Sequence, residues 1–261
     1  MTSVKTRSEA GIGFITLARP EIRNALTGEE MLEELIDAIQ DAEDDPDVAV
    51  VVFNAEGPAF SAGGNVKDMA AKEGLFAGGP AELTERYRAT IQQLTRYLAT
   101  TDLVTIAAVN GPAIGAGFDL VLGCDLRIGG PDASFAHTFI EMGIIPGDGG
   151  AWLLPRVVGW QRATELALTA RRVDADEAVT LGILLEVVPA TKLDERVTTL
   201  ARLIAGKPRP AVVLAKRLLR QARTTDLDAF LELSAAYQAI AHATPEHTRA
   251  VGEYLERLGK A

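Results

Sequence analysis

Apolar positions along this chain follow two different periods. Residues 48–53 and 103–109 are near-continuous apolar, largely β-branched runs, the pattern of strands covered on both faces of a parallel sheet. Residues 4–7 and 13–18 read as two further strands around a turn at Gly11, a hairpin. Between them Met31, Leu32, Leu35, Ile36 and Ile39 recur at helical spacing, which predicts an amphipathic helix capped by Thr27 or Gly28 and running to about Glu43. A second helix is predicted over 81–100. The Gly- and Ala-rich stretch before it, 69–80, has weak periodicity and reads as a mobile loop or frayed helix beside a site. Short strands follow at 126–128 and 134–136. From Gly149 the pattern turns helical, with segments at 151–158, 161–169, 175–180, 193–205, 211–222, 227–241 and 245–258 and one strand at 183–188. The expected fold class is therefore α/β, with a core over residues 1–190 and a helical region over 191–261. No fixed-period repeat or low-complexity linker interrupts it.

Composition narrows the function classes. At 261 residues, with 48% apolar and 24% charged side chains, the chain suits one good-sized domain with a helical appendage. No apolar stretch is long enough to span a bilayer, and residues 1–10 lack the apolar core of a signal peptide. The single Cys124 excludes an internal disulfide and a cysteine-based zinc site. His137, His242 and His247 form no ligand cluster, so no metal is expected. These properties point to the cytoplasm. A net charge of −10 argues against nucleic acid or an anionic membrane as partner, but a few local cations would still hold an anionic small molecule.

The candidate chemistry lies in two glycine-rich loops, each following one of the buried strands and turning toward a helix. They are Phe60-Ser61-Ala62-Gly63-Gly64-Asn65-Val66-Lys67-Asp68 and Asn110-Gly111-Pro112-Ala113-Ile114-Gly115-Ala116-Gly117-Phe118-Asp119. Two such loops can aim two free backbone N–H groups at one point, which is how an oxyanion is held. Acyl-type chemistry on a carbonyl follows as the leading reading. Two tight strand-to-helix turns without chemistry is the bland one.

The two loops resemble the two signatures of the crotonase (enoyl-CoA hydratase/isomerase) superfamily. Arg19-Pro20, Asn24-Ala25-Leu26, Cys124-Asp125, Gly143-Ile144-Ile145-Pro146-Gly147, and Leu181-Gly182 followed by Val187-Val188-Pro189 fall in family order as well, over nearly the whole chain. The resemblance implies a crotonase-like spiral of ββα turns with a C-terminal helical trimerisation region, assembled as a homotrimer or as a hexamer built from two trimers. It implies an acyl-CoA thioester as substrate, with no separate cofactor, and an enolate or other oxyanion held by the N–H groups of Gly64 and Ala116. The second loop of the family has three glycines in a row; Ala116 replaces the middle one and keeps its amide.

The acids depart from the family pattern. Family hydratases use two glutamates. The position of the first falls on Asp119, one methylene shorter; the second falls on Phe139, which cannot transfer a proton. Asp119 is expected to handle the proton, its alternative role being a solvated or capping carboxylate. Asp148, in Pro146-Gly147-Asp148-Gly149-Gly150, is expected either to compensate as a cavity acid or to cap the helix at 151. His137 is a pocket base or a structural residue, and Glu141 is expected to point elsewhere. For CoA, the resemblance places the adenine near Ala62, Gly63 and Val66, with Arg23 and Lys67 for phosphate charge. Tyr254 and Arg257 would reach a neighbouring subunit's CoA. Met69, Leu75, Phe76, Phe139 and Ile144 would form an apolar acyl pocket. The family suggests hydration, while the lost second acid suggests double-bond isomerisation, which can run on one carboxylate. A β-diketone hydrolase of the same fold and a non-catalytic acyl-CoA binder are the other readings.

Overall fold

A computed structural model describes residues 2–26 and 29–259. The chain opens with a hairpin, β1 (Val4–Glu9) and β2 (Ile12–Leu17), closed by Ala10 and Gly11, both at positive φ, the two-residue turn that matches strand twist. Helix α1 (Glu29–Asp44) follows; it buries Met31, Leu32, Leu35 and Ile39 as its spacing requires. The caps expected at Thr27 or Gly28 lie outside the described residues. Strand β3 (Val50–Ala55) leads to the first glycine loop, then to α2 (Val66–Ala71), α3 (Pro80–Ala89) and α4 (Ile91–Thr100).

Next come β4 (Val104–Val109), β5 (Pro112–Ile114) and α5 (Ala116–Gly123), then β6 (Leu126–Gly129), β7 (Ser134–Ala136) and α6 (Gly150–Val158). These are two successive ββα turns. The remainder is α7 (Trp160–Thr169), α8 (Ala175–Thr180), β8 (Glu186–Val187), α9 (Leu193–Ala205), α10 (Arg209–Gln221), α11 (Leu227–His242) and α12 (Pro245–Leu258). The large sheet has the order β1-β2-β3-β4-β6-β8, antiparallel only at the hairpin; β5 and β7 form a second, parallel pair.

Alternate residues of the large sheet enter two different cores. Ile15, Leu17, Val51, Phe53, Ala107 and Val109 pack with α1, α4 and α5. Ile12, Phe14, Val50, Val52, Ile106, Ala108 and Ile128 pack with Leu193, Val197 and Ala201 of α9. Burial on both faces explains the near-continuous apolar runs. Helix α9, just beyond residue 190, is the second cover of the sheet. Lys216 and Arg217 of α10 likewise bond to Leu103, Asp125 and Asp102 of the core. Helices α11 and α12 contribute no residue to either core.

Three local expectations change. The predicted helix over 81–100 is two helices broken at Thr90, whose φ and ψ of −119° and −99° leave the helical region. Residues 69–80 carry the end of α2 and a 3-10 turn, Gly74–Phe76, with Leu75 buried. The strand predicted over 183–188 shrinks to two residues, and β5 is a strand the sequence pattern did not reveal.

The second sheet joins the two loops. Ser61 bridges Ala113 of β5, which pairs in register with Phe135 of β7. Gly63 has a φ of +74°, and a Cβ there would overlap the Ile114 carbonyl oxygen and stand 3.0 Å from the Ala116 nitrogen. Gly63→Ala is therefore expected to destabilise the protein by about 1–3 kcal/mol in urea unfolding and to separate the loops. An unchanged midpoint and unchanged activity would show that the loops can part at no cost.

Candidate active site

The first loop is held from beneath by Asn24. Its Oδ1 accepts from the Arg19 N–H at 2.8 Å, and its Nδ2 donates to the carbonyls of Glu56 and Ala59 at 2.9 and 3.0 Å. The Ser61 hydroxyl donates to the Asn24 carbonyl at 2.7 Å and accepts from the Gly63 N–H at 3.1 Å. Backbone bonds from Ala62 to Arg23 and from Leu26 to Gly63 complete the clamp, both at 2.8–2.9 Å. In the second loop Ile114 donates to Ser61 and Gly115 donates to Ala136, each at 2.9 Å. With these bonds made, the N–H groups of Gly64 and Ala116 have no acceptor among the described residues. Ala116 is the first residue of α5, where an N–H is unclaimed by the helix and the dipole adds positive potential.

Both residues line one cavity of about 290 Å³. Ala62, Val66, Met69, Leu75, Phe76, Phe139 and Ile144 line it too, so the predicted apolar residues converge. Gly63 is buried behind them. Phe139 forms part of the cavity wall. Arg23 and Lys67 are exposed and outside the lining, and Tyr254 and Arg257 lie on α12 away from this cavity. Arg257 instead borders a polar groove with Lys207, Arg209 and Arg249.

The acids sort differently from expectation. Asp119 is 3% exposed and is not part of the cavity lining. Its Oδ1 lies 2.6 Å from His137 Nε2, and its Oδ2 accepts from the Gly150 N–H at 3.1 Å. A carboxylate oxygen accepts, so this hydrogen bond is read as donated by His137 Nε2. Both oxygens are thus engaged away from the cavity, and Asp119 supplies the helix cap that had been expected of Asp148. His137, 1% exposed, is its partner and no pocket base. Its ring packs 5.0 Å from Phe118 and 5.6 Å from Phe139 between centroids.

Asp148 lines the cavity and is 6% exposed. Gly149, with no capping side chain, is the N-cap of α6. The turn carrying Asp148 is pinned by α4: Gln92 Nε2 donates to the Gly147 carbonyl at 3.0 Å, and the Thr95 hydroxyl donates to the Asp148 carbonyl. Burial, and then the nearby charge of Asp119, push the Asp148 carboxyl up to about 7. Tyr87, also in the lining, has its phenol raised by burial and by Asp148. Tyr87 offered no motif that would single it out. Glu141 lines the exposed rim, against expectation, because Thr138–Met142 winds as a 3-10 turn that wraps the cavity edge.

The sequence profile of the enoyl-CoA hydratase/isomerase family matches residues 7–260. The chain belongs to this family. Members of the family similar to it include the 1,2-epoxyphenylacetyl-CoA isomerase of Escherichia coli, 33% identical over 98% of this chain and 97% of the relative. The crotonyl-CoA hydratase of Syntrophomonas wolfei is 32% identical over 95% and 93%. The crystal structure of an enoyl-CoA hydratase from Mycobacterium smegmatis superposes with a TM-score of 0.89, at 32% identity, over 98% of this chain and 96% of that one. The fold is that of the crotonase superfamily, and the chain is an acyl-CoA enzyme of the enoyl-CoA hydratase/isomerase family.

The raised Asp148 carboxyl has a consequence for stability. Unfolded, this group ionises near its ordinary value; folded, it ionises at about 7. Its contribution to stability is complete below about pH 4 and is lost as pH rises to about 7. Asp148→Asn removes that loss, and is expected to stabilise the protein on the order of a few kcal/mol at about pH 8 and little at about pH 4. Denaturant unfolding at both pH values measures it; an equal effect at both would place Asp148 in a wetter setting.

Proposed function

We propose that this acyl-CoA enzyme shifts a carbon–carbon double bond along the acyl chain, using one acid–base group. The observation that carries the reading is that Asp148 is the buried carboxylate facing the cavity, while Phe139 fills the place of the second family acid and Asp119 is turned away. In this reading the thioester oxygen sits between the amides of Gly64 and Ala116. Ionised Asp148 takes a proton from the carbon next to the thioester of a 3-enoyl-CoA. The electron pair moves onto the thioester oxygen to give a dienolate, which the two amides stabilise. Neutral Asp148 then returns the same proton to the far carbon, leaving a 2-enoyl-CoA. One proton leaves and one returns, so one carboxyl suffices. A carboxyl poised near 7 is suited to both halves. Each backbone donor is worth about 100- to 1000-fold in rate.

Hydration needs a second group to handle water. Glu141 on the rim is the candidate for it, and Tyr87 would orient rather than ionise. Incubation with 2-enoyl-, 3-enoyl- and aryl-acyl-CoA thioesters, followed by absorbance and mass, separates the two reactions. An unchanged mass with a shifted spectrum is expected; gain of one water would instead mark hydration and overturn the isomerase reading. Asp148→Asn is expected to lower turnover by about 100- to 10,000-fold, while Glu141→Gln keeps most of it. The reverse order would transfer the acid–base role to Glu141.

A trimer, or a hexamer of two trimers, fits the outer helices. Helices α10, α11 and α12 bury no residue fully, and Leu219, Leu227, Leu231, Leu255 and Leu258 are more than half exposed. Such a surface asks for a partner. Light scattering is expected to return about three or about six chain masses; a monomer would sink the proposal, and with it any role for Tyr254 and Arg257 at a neighbour's CoA.

A further inference from the structure

Below the cavity floor lies a buried polar pair that the proposed proton transfer does not use. Asp119 and His137 come from different ββα turns. Asp119 is one turn into α5, and His137 directly follows β7. The parallel pairing of β5 with β7, continued by the Gly115 N–H to the Ala136 carbonyl, sets the two side chains opposite each other at 2.6 Å. The second Asp119 oxygen takes the first N–H of α6, at Gly150, two residues beyond Asp148. The approach is close enough that a Cβ at 150 would overlap the carboxylate and stand 2.6 Å from its Cγ. The same His137 ring packs edge-on to Phe139, which lines the cavity together with Asp148. A buried ion-paired group is costly unless its partners are complete. Here the pair touches both the helix that directly follows the acid and the Phe139 wall.

We propose that the Asp119–His137 pair is a positioning element for Asp148: it anchors the first turn of α6 and holds a fixed negative charge behind the Asp148 carboxyl. The inference rests on the reading of Asp148 as the acid–base group. His137 Nε2 bonds one Asp119 oxygen and the Gly150 N–H bonds the other, which fixes the carboxylate in place. Asp119 then disfavours a second negative charge beside it, so that Asp148 binds its proton more tightly than burial alone would require. The other groups around Asp148 are Tyr87 on α3, Glu141 on the rim, and the uncharged Gln92 and Thr95 of α4. Of the nearby carboxylates, Asp119 is the one whose charge bears on Asp148 from the protein side.

The test follows the titration of Asp148 in two ways: the pH dependence of turnover, and carbon-13 NMR of the aspartate carboxyls, assigned by difference from Asp148→Asn. Turnover requires ionised Asp148, so the parent rate rises with pH through about 7. Asp119→Asn is expected to move both the rising limb and the NMR midpoint to lower pH by at least about half a unit, roughly threefold in proton affinity. His137→Leu, which strips Asp119 of its donor, is expected to move them the same way. His137→Gln, which can still donate, returns them toward the parent. If Asp119→Asn does not fold, the two His137 variants carry the test alone. An unmoved midpoint with a merely lower rate would make the pair structural only and overturn the inference. Loss of turnover at every pH with the NMR midpoint unmoved would make Asp119 a proton carrier and overturn it equally. Retained turnover in Asp148→Asn would defeat the reading of Asp148 instead, while the NMR shift would still decide the role of the pair.

Discussion

The constraint on which the site depends is the close approach of two glycine loops through a backbone bridge. Ser61 and Ala113 pair, Gly63 lies against the Ile114 carbonyl, and any side chain at 63 would hold the loops apart. Backbone amides are useful to an oxyanion only if two of them converge and neither is claimed by another acceptor. The hydrogen bonds of Ser61, Gly63, Ile114 and Gly115 consume the neighbouring polar groups in such a way that Gly64 and Ala116 are left over. The parallel sheet behind them, apolar on both faces, makes this rigid, because neither strand can shift without emptying one of the two cores.

Given that anchor, the chemistry turns on which acids reach the cavity. Asp119 is buried and stands outside the cavity lining. The carboxylate is then taken up by His137 and by the first N–H of α6. Asp148 is presented in its place, on a turn fastened by Gln92 and Thr95. The exchange is a matter of reach: a carboxylate near a helix N-terminus is stabilised where it is, whereas one facing an apolar cavity next to another anion resists ionising. Asp119, hydrogen-bonded on both oxygens, and Asp148, pushed up by burial in the cavity wall, thus meet different surroundings.

The outer part of the chain follows a different logic. Helix α9 is core, α10 is tied to it by Lys216 and Arg217, and α11 and α12 expose apolar side chains that the single chain does not cover. Arg156 and Arg223 both stack on Trp152 at the junction, covering an indole that would otherwise be open. No helix among the described residues is long and apolar enough to cross a membrane.

Much of this was legible in the sequence because it depends on local pattern. The buried strands, the amphipathic α1, the hairpin at Gly11 and the two loops with their unclaimed amides all follow from spacing and residue type. The membership of the family followed from the order of motifs along the chain. What spacing could not supply was the direction of each carboxylate. Asp119 and Asp148 both sit beside a helix start, where capping and catalysis look alike in one dimension. Glu141 and Tyr87 reach the cavity through a 3-10 turn and a broken helix that periodicity did not reveal. The place of α9 was likewise hidden, since an apolar helical face does not say whether it meets its own sheet or another subunit. Sequence alone determined the α/β fold class and the family. Tertiary structure decided which acid lines the cavity: β5–β7 pairing brings His137 to Asp119, 18 residues apart, where both Asp119 oxygens are engaged, while Asp148 lines the cavity.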